Sequence, residues 1–63
     1  MKETLTVLKG LLAQYESELE SILNELTKVE KGSLTYNLFY GRYLGCRFHI
    51  NELEDLITSL RGQ

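Results

Sequence analysis

The chain has no proline, no tryptophan, a single cysteine and a single histidine among its 63 residues. One cysteine excludes an internal disulfide, and one cysteine with one histidine cannot supply the four ligands of a structural zinc site. Because proline is absent, long uninterrupted helices are allowed. A chain this short, with neither disulfide nor metal, is marginally stable alone, so we expect a second copy of the chain to supply the missing stability.

Neither sign of charge predominates: the chain has 7 basic and 9 acidic residues, for a net charge of −2. This balance argues against a nucleic-acid partner, which favours strongly basic patches. No uncharged apolar run of about 18 residues is present, so no membrane span is expected. The segment Met1-Lys2-Glu3-Thr4 carries an acid and no small-residue cleavage site follows it, so we expect no secretory signal. The lone Cys46 suits a reducing compartment, which predicts a cytoplasmic protein.

What the sequence does have is a sustained heptad pattern in both halves. Apolar residues recur with alternating steps of three and four. In the first half they are Leu5, Leu8, Leu12, Tyr15, Leu19, Ile22, Leu26 and Val29. In the second half they are Tyr36, Phe39, Tyr43, Cys46, Ile50, Leu53, Ile57 and Leu60.

The two patterns are separated by Glu30-Lys31-Gly32-Ser33. Gly32 can take the left-handed position that ends a helix, and Ser33 is a good N-cap for the next one. The sequence therefore predicts an all-α fold with one domain over 1–63: a helix over about 3–30, a turn over 31–33 and a helix over about 34–61. A break this short makes the helices antiparallel neighbours, so the prediction is a two-helix hairpin that dimerises into a four-helix bundle.

A register for this hairpin follows from pairing residues whose numbers add to 65, because every apolar position of the first half then meets one of the second. Leu19 meets Cys46, for example, and Tyr15 meets Ile50. The flanking charges are complementary in this register except for Lys2–Arg61 at the open end, and such charges select orientation in coiled coils. The predicted pairs are Glu25–Arg42, Glu18–His49, Glu16–Arg47 and Lys9–Glu54.

A strand reading of residues 34–48 is an alternative, since the segment is rich in aromatic residues and Tyr40-Gly41-Arg42 could turn a β-hairpin. The heptad pattern continues unbroken through the segment, so we favour the helix.

The second helix has more apolar surface than one neighbouring helix can cover. On its outer face lie Leu34, Leu38, Gly41, Leu44, Gly45 and Phe48. An apolar patch of this kind in a small chain marks an interface, with the chain itself or with another protein. Glycine is unfavourable inside a helix, so Gly41 and Gly45 indicate close approach by another helix. A weaker strip of small residues on the first helix, Gly10, Ala13 and Ser17, is equally consistent with a second contact or with a solvated surface.

Residues for catalysis, cofactor binding or metal binding are not apparent, and we expect the protein not to be an enzyme. Cys46 and His49 are three apart and share a helix face, but Cys46 falls at a core position, which predicts a buried structural thiol. A Cys-His nucleophile pair needs a cleft and an orienting group, and a narrow hairpin offers no cleft.

In layout and length the chain resembles the Rop family of plasmid copy-number regulators, which are helical hairpins that dimerise into a four-helix bundle and bind RNA. That resemblance implies an RNA-binding regulator, although Arg42 and Arg47 are assigned acidic partners in the predicted register and do not form a free basic face.

A second resemblance rests on Tyr40-Gly41-Arg42-Tyr43-Leu44-Gly45-Cys46-Arg47 followed by Ile50, Leu53 and Leu56. This pattern is similar to that of small phage and prophage proteins, and it implies a regulator or inhibitor that binds a host or defence protein. Three functions therefore stay open: a homo-oligomeric protein-interaction module, a Rop-like RNA binder, and a small chaperone or assembly subunit whose apolar face a different protein covers.

Overall fold

In the computed structural model, which describes residues 2–62, the chain folds into two long helices joined by a short loop. Helix α1 spans Lys2–Leu26 and helix α2 spans Leu34–Arg61, and the two pack against each other along their length. Strands are absent from residues 2–62, so the all-α hairpin is confirmed and the strand reading of residues 34–48 is wrong. The predicted domain limits, residues 1 and 63, lie outside the described residues.

The first helix ends four residues before the predicted end near residue 30. The hydroxyl of Thr27 donates a hydrogen bond to the carbonyl oxygen of Asn24, and the amide of Lys28 donates one to Glu25, three residues back. A threonine hydroxyl competes with the helix for its carbonyl groups, and β-branched residues such as Thr27 and Val29 lose side-chain freedom in a helix. The helix therefore stops where these residues begin.

The loop ends in a tight turn that starts α2. The amide of Ser33 donates to the carbonyl of Glu30, and Gly32 has a φ of 85°, the left-handed value that the third residue of a type II turn requires. Gly32 thus shapes this turn and does not terminate α1 as predicted. The amide of Tyr36 donates to the Ser33 side-chain oxygen over 3.1 Å, which confirms Ser33 as the N-cap.

The core is a narrow seam between the two helices. Ile22, Cys46 and Ile50 form its buried centre, and Ile57 is buried further along α2. Partly buried neighbours complete the seam, and all of them are residues of the predicted heptads: Leu12, Tyr15, Leu19, Leu26, Phe39 and Tyr43. The heptad assignment of the core is therefore confirmed.

The predicted register is wrong by about one helical turn. Cys46 contacts the backbone of Tyr15, a pair whose numbers add to 61 and not to 65. Glu18 pairs with Arg42 at 3.7 Å, and those numbers add to 60. Within residues 2–62 the other ion pairs are Glu25–Lys28 and His49–Glu52, so none of the four predicted cross-helix pairs forms.

The early end of α1 accounts for this shift. Removing four residues from the end of the first helix moves the centre of the turn back along the chain, and the pairing moves with it. A slip of four residues is close to one helical turn, so apolar positions spaced by three and four still meet apolar positions. Apolar and charged residues both exchange partners, but each apolar residue meets another apolar one, which is why the apolar pattern alone left the register undetermined.

Candidate interaction surface

The six residues Leu34, Leu38, Gly41, Leu44, Gly45 and Phe48, here called the α2 strip, are all exposed. The exposed fraction is 77% for Leu34, 65% for Leu38, 51% for Leu44 and 62% for Phe48. Few large apolar side chains in the described chain are as exposed as these four. The structure therefore places every residue of the predicted interface in contact with solvent, on one continuous strip.

The α2 strip lies on the side of α2 that faces away from α1. The buried residues of α2, Cys46, Ile50 and Ile57, define the face that contacts α1. With about 100° of rotation per residue, the middle of the strip lies roughly 160° around the helix from that face. Helix α1 consequently cannot cover the strip.

The two glycines of the strip are not required by the hairpin itself. A Cβ atom added at Gly41 or Gly45 meets no atom within 4 Å apart from the adjacent residues and the surrounding helix backbone. Both glycines lie inside α2, where glycine is less favourable than alanine by about 1 kcal/mol. No contact within the described chain offsets this loss of helix stability. A backbone surface without side chains, beside four large apolar residues, suits close packing against another helix.

Beyond Phe48 the same face of α2 becomes polar and acidic. Its residues there are Asn51, Glu52, Asp55, Thr58 and Ser59. A carboxylate oxygen of Glu52 lies 3.4 Å from Nδ1 of His49, and both side chains are more than half exposed. Apart from Leu56, which is exposed, the large apolar side chains of this face lie in the half of α2 that adjoins the loop.

One edge of the strip borders a shallow groove lined by Thr35, Leu38, Phe39 and Arg42. The guanidinium of Arg42 lies 5.9 Å from the centre of the Phe39 ring and is also within 3.7 Å of the Glu18 carboxylate. Arg42 is thus held by residues of its own hairpin, at the edge of an apolar surface.

A second groove, near the loop, was not anticipated as a surface feature. The rings of Tyr36, Tyr40 and Tyr43 stack in sequence along α2, with centres 6.1 and 5.9 Å apart. They line the groove together with Leu23 and Lys31. The heptad pattern predicted Tyr36 and Tyr43 as core residues, so it did not predict that the three rings line a surface groove. The spacing of four and three between the tyrosines was the available signal.

The Cys46 side chain is committed to the core. Its thiol donates a hydrogen bond to the carbonyl oxygen of Tyr15 over 3.2 Å, and 6% of the residue is exposed. Burial raises the pKa of the thiol, and the nearby Glu18 carboxylate raises it further, so the reactive thiolate form is disfavoured.

His49 lies on the surface beside this core position. Its ring stacks on Tyr15 with centres 5.3 Å apart and meets the edge of Phe48 at 6.1 Å. The predicted contact of His49 with Glu18 is replaced by the ion pair with Glu52. In this arrangement His49 connects the α2 strip to α1 through ring packing.

The search for known relatives gave no match. No protein-family model fits the chain, and neither the curated proteins nor the solved structures contain a significant match to it. Neither α1 nor α2 has an apolar segment long enough to cross a lipid bilayer. The residues and their geometry are therefore the basis for any functional proposal.

Proposed function

We propose that this chain is a homo-oligomeric protein-interaction module, a helical hairpin that dimerises through the α2 strip into a four-helix assembly and acts by binding another protein. The observation that carries the proposal is the position of the strip: four large apolar side chains and two unexplained glycines lie on the face of α2 that α1 cannot reach. Exposed apolar patches of this kind in small proteins are typical of binding surfaces.

The energetics of the hairpin support self-association. Among residues 2–62 only Ile22, Cys46, Ile50 and Ile57 are buried, so the single hairpin has a very small core. Burying a side chain such as Phe48 contributes roughly 1.5–3 kcal/mol, and covering the strip on two copies would bury eight large side chains. Micromolar association corresponds to about 8 kcal/mol, which a contact of this size can supply after the cost of ordering two molecules.

An RNA-binding role of the Rop type has less support. Arg42 is already paired with Glu18, and the α2 strip is apolar and carries no basic residue. The predicted pair of Arg47 with Glu16 does not form, but Arg47 lies outside the strip. Phosphate contacts require exposed cationic groups on a common face. A protein partner fits the α2 strip better than a nucleic acid does.

Sedimentation equilibrium over a wide concentration range tests the proposal. The wild-type chain should reach the mass of a dimer in the micromolar range, and Leu38→Lys should remain monomeric because a charge would be buried in the contact. Leu56→Lys is the matched control, since Leu56 is an exposed leucine of α2 outside the strip. A wild-type chain that is folded and monomeric at every concentration would refute self-association.

The regulatory part of the proposal rests on the similarity of residues 40–47 to small phage and prophage proteins. It predicts a protein target, so a host protein should be retained by the immobilised wild-type chain and released by a change in the strip or in the tyrosine groove. Tyr40→Ala is suited to this test because it removes the central ring of the groove and leaves the buried core intact. Retention of no specific protein would contradict this part alone.

A further inference from the structure

The four large side chains of the α2 strip are placed symmetrically about Gly41. Leu38 and Leu44 lie three residues to either side of it, and Leu34 and Phe48 lie seven residues to either side. The strip therefore presents the same spacing of large side chains in both directions along the helix. A second copy that runs the opposite way finds a large side chain at each matching level.

We propose that the strip receives a second copy of this chain with the two α2 helices antiparallel and crossing at Gly41. This rests on the self-association proposed above and adds its orientation and register. In this dimer Leu34 packs against the partner's Phe48, Leu38 packs against the partner's Leu44, and the two Gly41 residues face each other at the twofold axis, as an isologous contact requires.

The directions of the side chains suit this pairing. Leu38 and Leu44 lie on opposite flanks of the strip, each about 60° around the helix from Gly41. In an antiparallel pair, residues from opposite flanks of the two helices lie side by side within one layer. Leu38 and the partner's Leu44 therefore fill a layer together and do not collide.

Glycine at the twofold axis allows the two α2 backbones to approach most closely at the point where they cross. A side chain at residue 41 would meet its own copy there, although nothing inside the hairpin opposes a Cβ atom at that position. The need for glycine at Gly41 thus arises from the second copy and not from the fold.

Charge favours the antiparallel orientation over the parallel one. In a parallel pair Glu52 would face the partner's Glu52, and Asp55 would approach the partner's Asp55. In the antiparallel pair Glu52 lies about one turn beyond the partner's Leu34, beside the positive end of the partner's α2. The adjoining loop carries both Glu30 and Lys31, so the end of the helix is the source of the favourable charge. The first turn of α2 has no acidic residue of its own, so the second copy supplies the missing negative charge.

The resulting dimer has its four helices in a row. Because the strip lies opposite α1, the two α2 helices are central and the two α1 helices are outermost. This differs from a bundle in which all four helices share one core. The contact spans residues 34–48, about 21 Å of helix.

Disulfide trapping tests the orientation. Leu34→Cys and Phe48→Cys are made separately in a Cys46→Ala background, then oxidised alone and as an equimolar mixture. Both sites are more than half exposed, so neither change should disturb the hairpin, and circular dichroism verifies this. The antiparallel dimer brings residue 34 next to the partner's residue 48, and the two copies of residue 34 stay about 21 Å apart, too far for a disulfide. We expect covalent dimers only in the mixture, at up to half of the chains.

The control is Glu20→Cys in the same background, mixed with Phe48→Cys, because Glu20 is an exposed residue of α1 outside the proposed contact. This mixture should give no covalent dimer. Efficient disulfides in Leu34→Cys or Phe48→Cys alone would overturn the antiparallel orientation and leave self-association standing. Absence of every disulfide in a chain that sediments as a dimer would overturn the strip pairing. Absence of disulfides in a chain that sediments as a monomer would refute both proposals.

Discussion

The thiol of Cys46 donates a hydrogen bond across the hairpin to the backbone carbonyl oxygen of Tyr15, with sulfur and oxygen 3.2 Å apart. This bond joins the two helices at a point where a helix carbonyl, already an acceptor within α1, takes a second donor. The bond involves the only thiol of the chain. It also aligns residue 46 of α2 with residue 15 of α1 and so marks the register of the hairpin.

Cys46 should therefore react slowly with thiol reagents in the native protein. Burial limits access, and the raised pKa of the thiol lowers the thiolate fraction at neutral pH. A colorimetric thiol assay should show slow labelling in buffer and fast labelling in denaturant. Glu20→Cys in a Cys46→Ala background is the control for an exposed thiol outside the α2 strip and should label fast without denaturant. Equal native rates for the two would contradict the structural role of Cys46.

The same thiol should make the fold sensitive to alkali. Because the folded-state pKa of Cys46 lies above the ordinary value of 9.0, the protonated thiol stabilises the fold fully below that value. This contribution is lost as the pH rises through the folded-state pKa, because the unfolded chain then releases its proton more readily. Urea unfolding of wild type and Cys46→Ala between neutral and alkaline pH should show a steeper loss of stability for wild type. Tyrosine and lysine titrate in both proteins, so the difference between them isolates the thiol.

The ion pair between Glu18 and Arg42 should show a small coupling free energy. Both side chains are at least half exposed and 3.7 Å apart, and exposed pairs contribute about 0.2–1 kcal/mol. A double-mutant cycle with Glu18→Gln and Arg42→Gln, measured by urea unfolding, should detect it. The equivalent cycle with Glu25→Gln and Arg42→Gln is the control and should show no coupling. The reverse result would restore the register in which paired numbers add to 65.

Those charged pairs mark the limit of what the sequence could predict about the fold. The heptad steps identified the core residues, and Ser33 was recognisable as an N-cap by its residue type and its place before an apolar run. The end of α1 depends on Thr27, whose hydroxyl donates a hydrogen bond to a carbonyl oxygen of the helix and so competes with the backbone amides for it. The free-energy difference between continuing and ending a helix at such a residue is a few tenths of a kcal/mol, which helix propensities do not resolve. The end of α1 nevertheless decides which charged residues of the two helices face each other.

The candidate surface was more predictable than the register, for a geometric reason. Which residues share the outer face of a helix depends only on its rotation per residue, so the exposure of Leu34, Leu38 and Phe48 does not change when the hairpin slips. The stacking of Tyr40 on its neighbours depends on rotamers and on how α1 ends, and it could not be read from spacing alone. The occupant of the strip depends on a second molecule, about which one chain carries only indirect information.

Ser33→Ala should destabilise the hairpin by about 1 kcal/mol, because the Tyr36 amide would lose its side-chain acceptor at the start of α2. Ser21→Ala, a change at an exposed position inside α1, is the matched control and should be neutral or slightly stabilising. Urea unfolding at a fixed protein concentration provides the comparison. A smaller loss for Ser33→Ala than for Ser21→Ala would contradict the N-cap.

Gly41→Ala should have opposite effects on the stability of the folded monomer and on the stability of the dimer. Alanine is the better helix former by about 1 kcal/mol and meets no atom within the hairpin, so the monomer should become more stable. The dimer should become weaker, because two methyl groups would meet where the helices cross. Unfolding at high dilution measures the first effect, and sedimentation equilibrium measures the second.

Gly10→Ala on α1 is the control for this comparison. A Cβ atom at Gly10 also meets nothing within 4 Å, so the monomer should again be stabilised, but Gly10 lies outside the α2 strip and the dimer should be unaffected. Parallel gains in monomer and dimer stability for Gly41→Ala would show that residue 41 is not at the contact.

The hairpin is slender, with backbone dimensions of 46 × 14 × 11 Å and four buried side chains in the part of the chain that the structure describes. In a body of this shape almost every residue is at the surface, and most surface substitutions change stability by less than about 0.5 kcal/mol. Selection for folding alone then constrains few positions beyond the seam and the turn at Gly32 and Ser33. Related chains can lose recognisable sequence similarity quickly while the hairpin persists, so residues on the outer faces that stay unchanged in such relatives would record selection for binding.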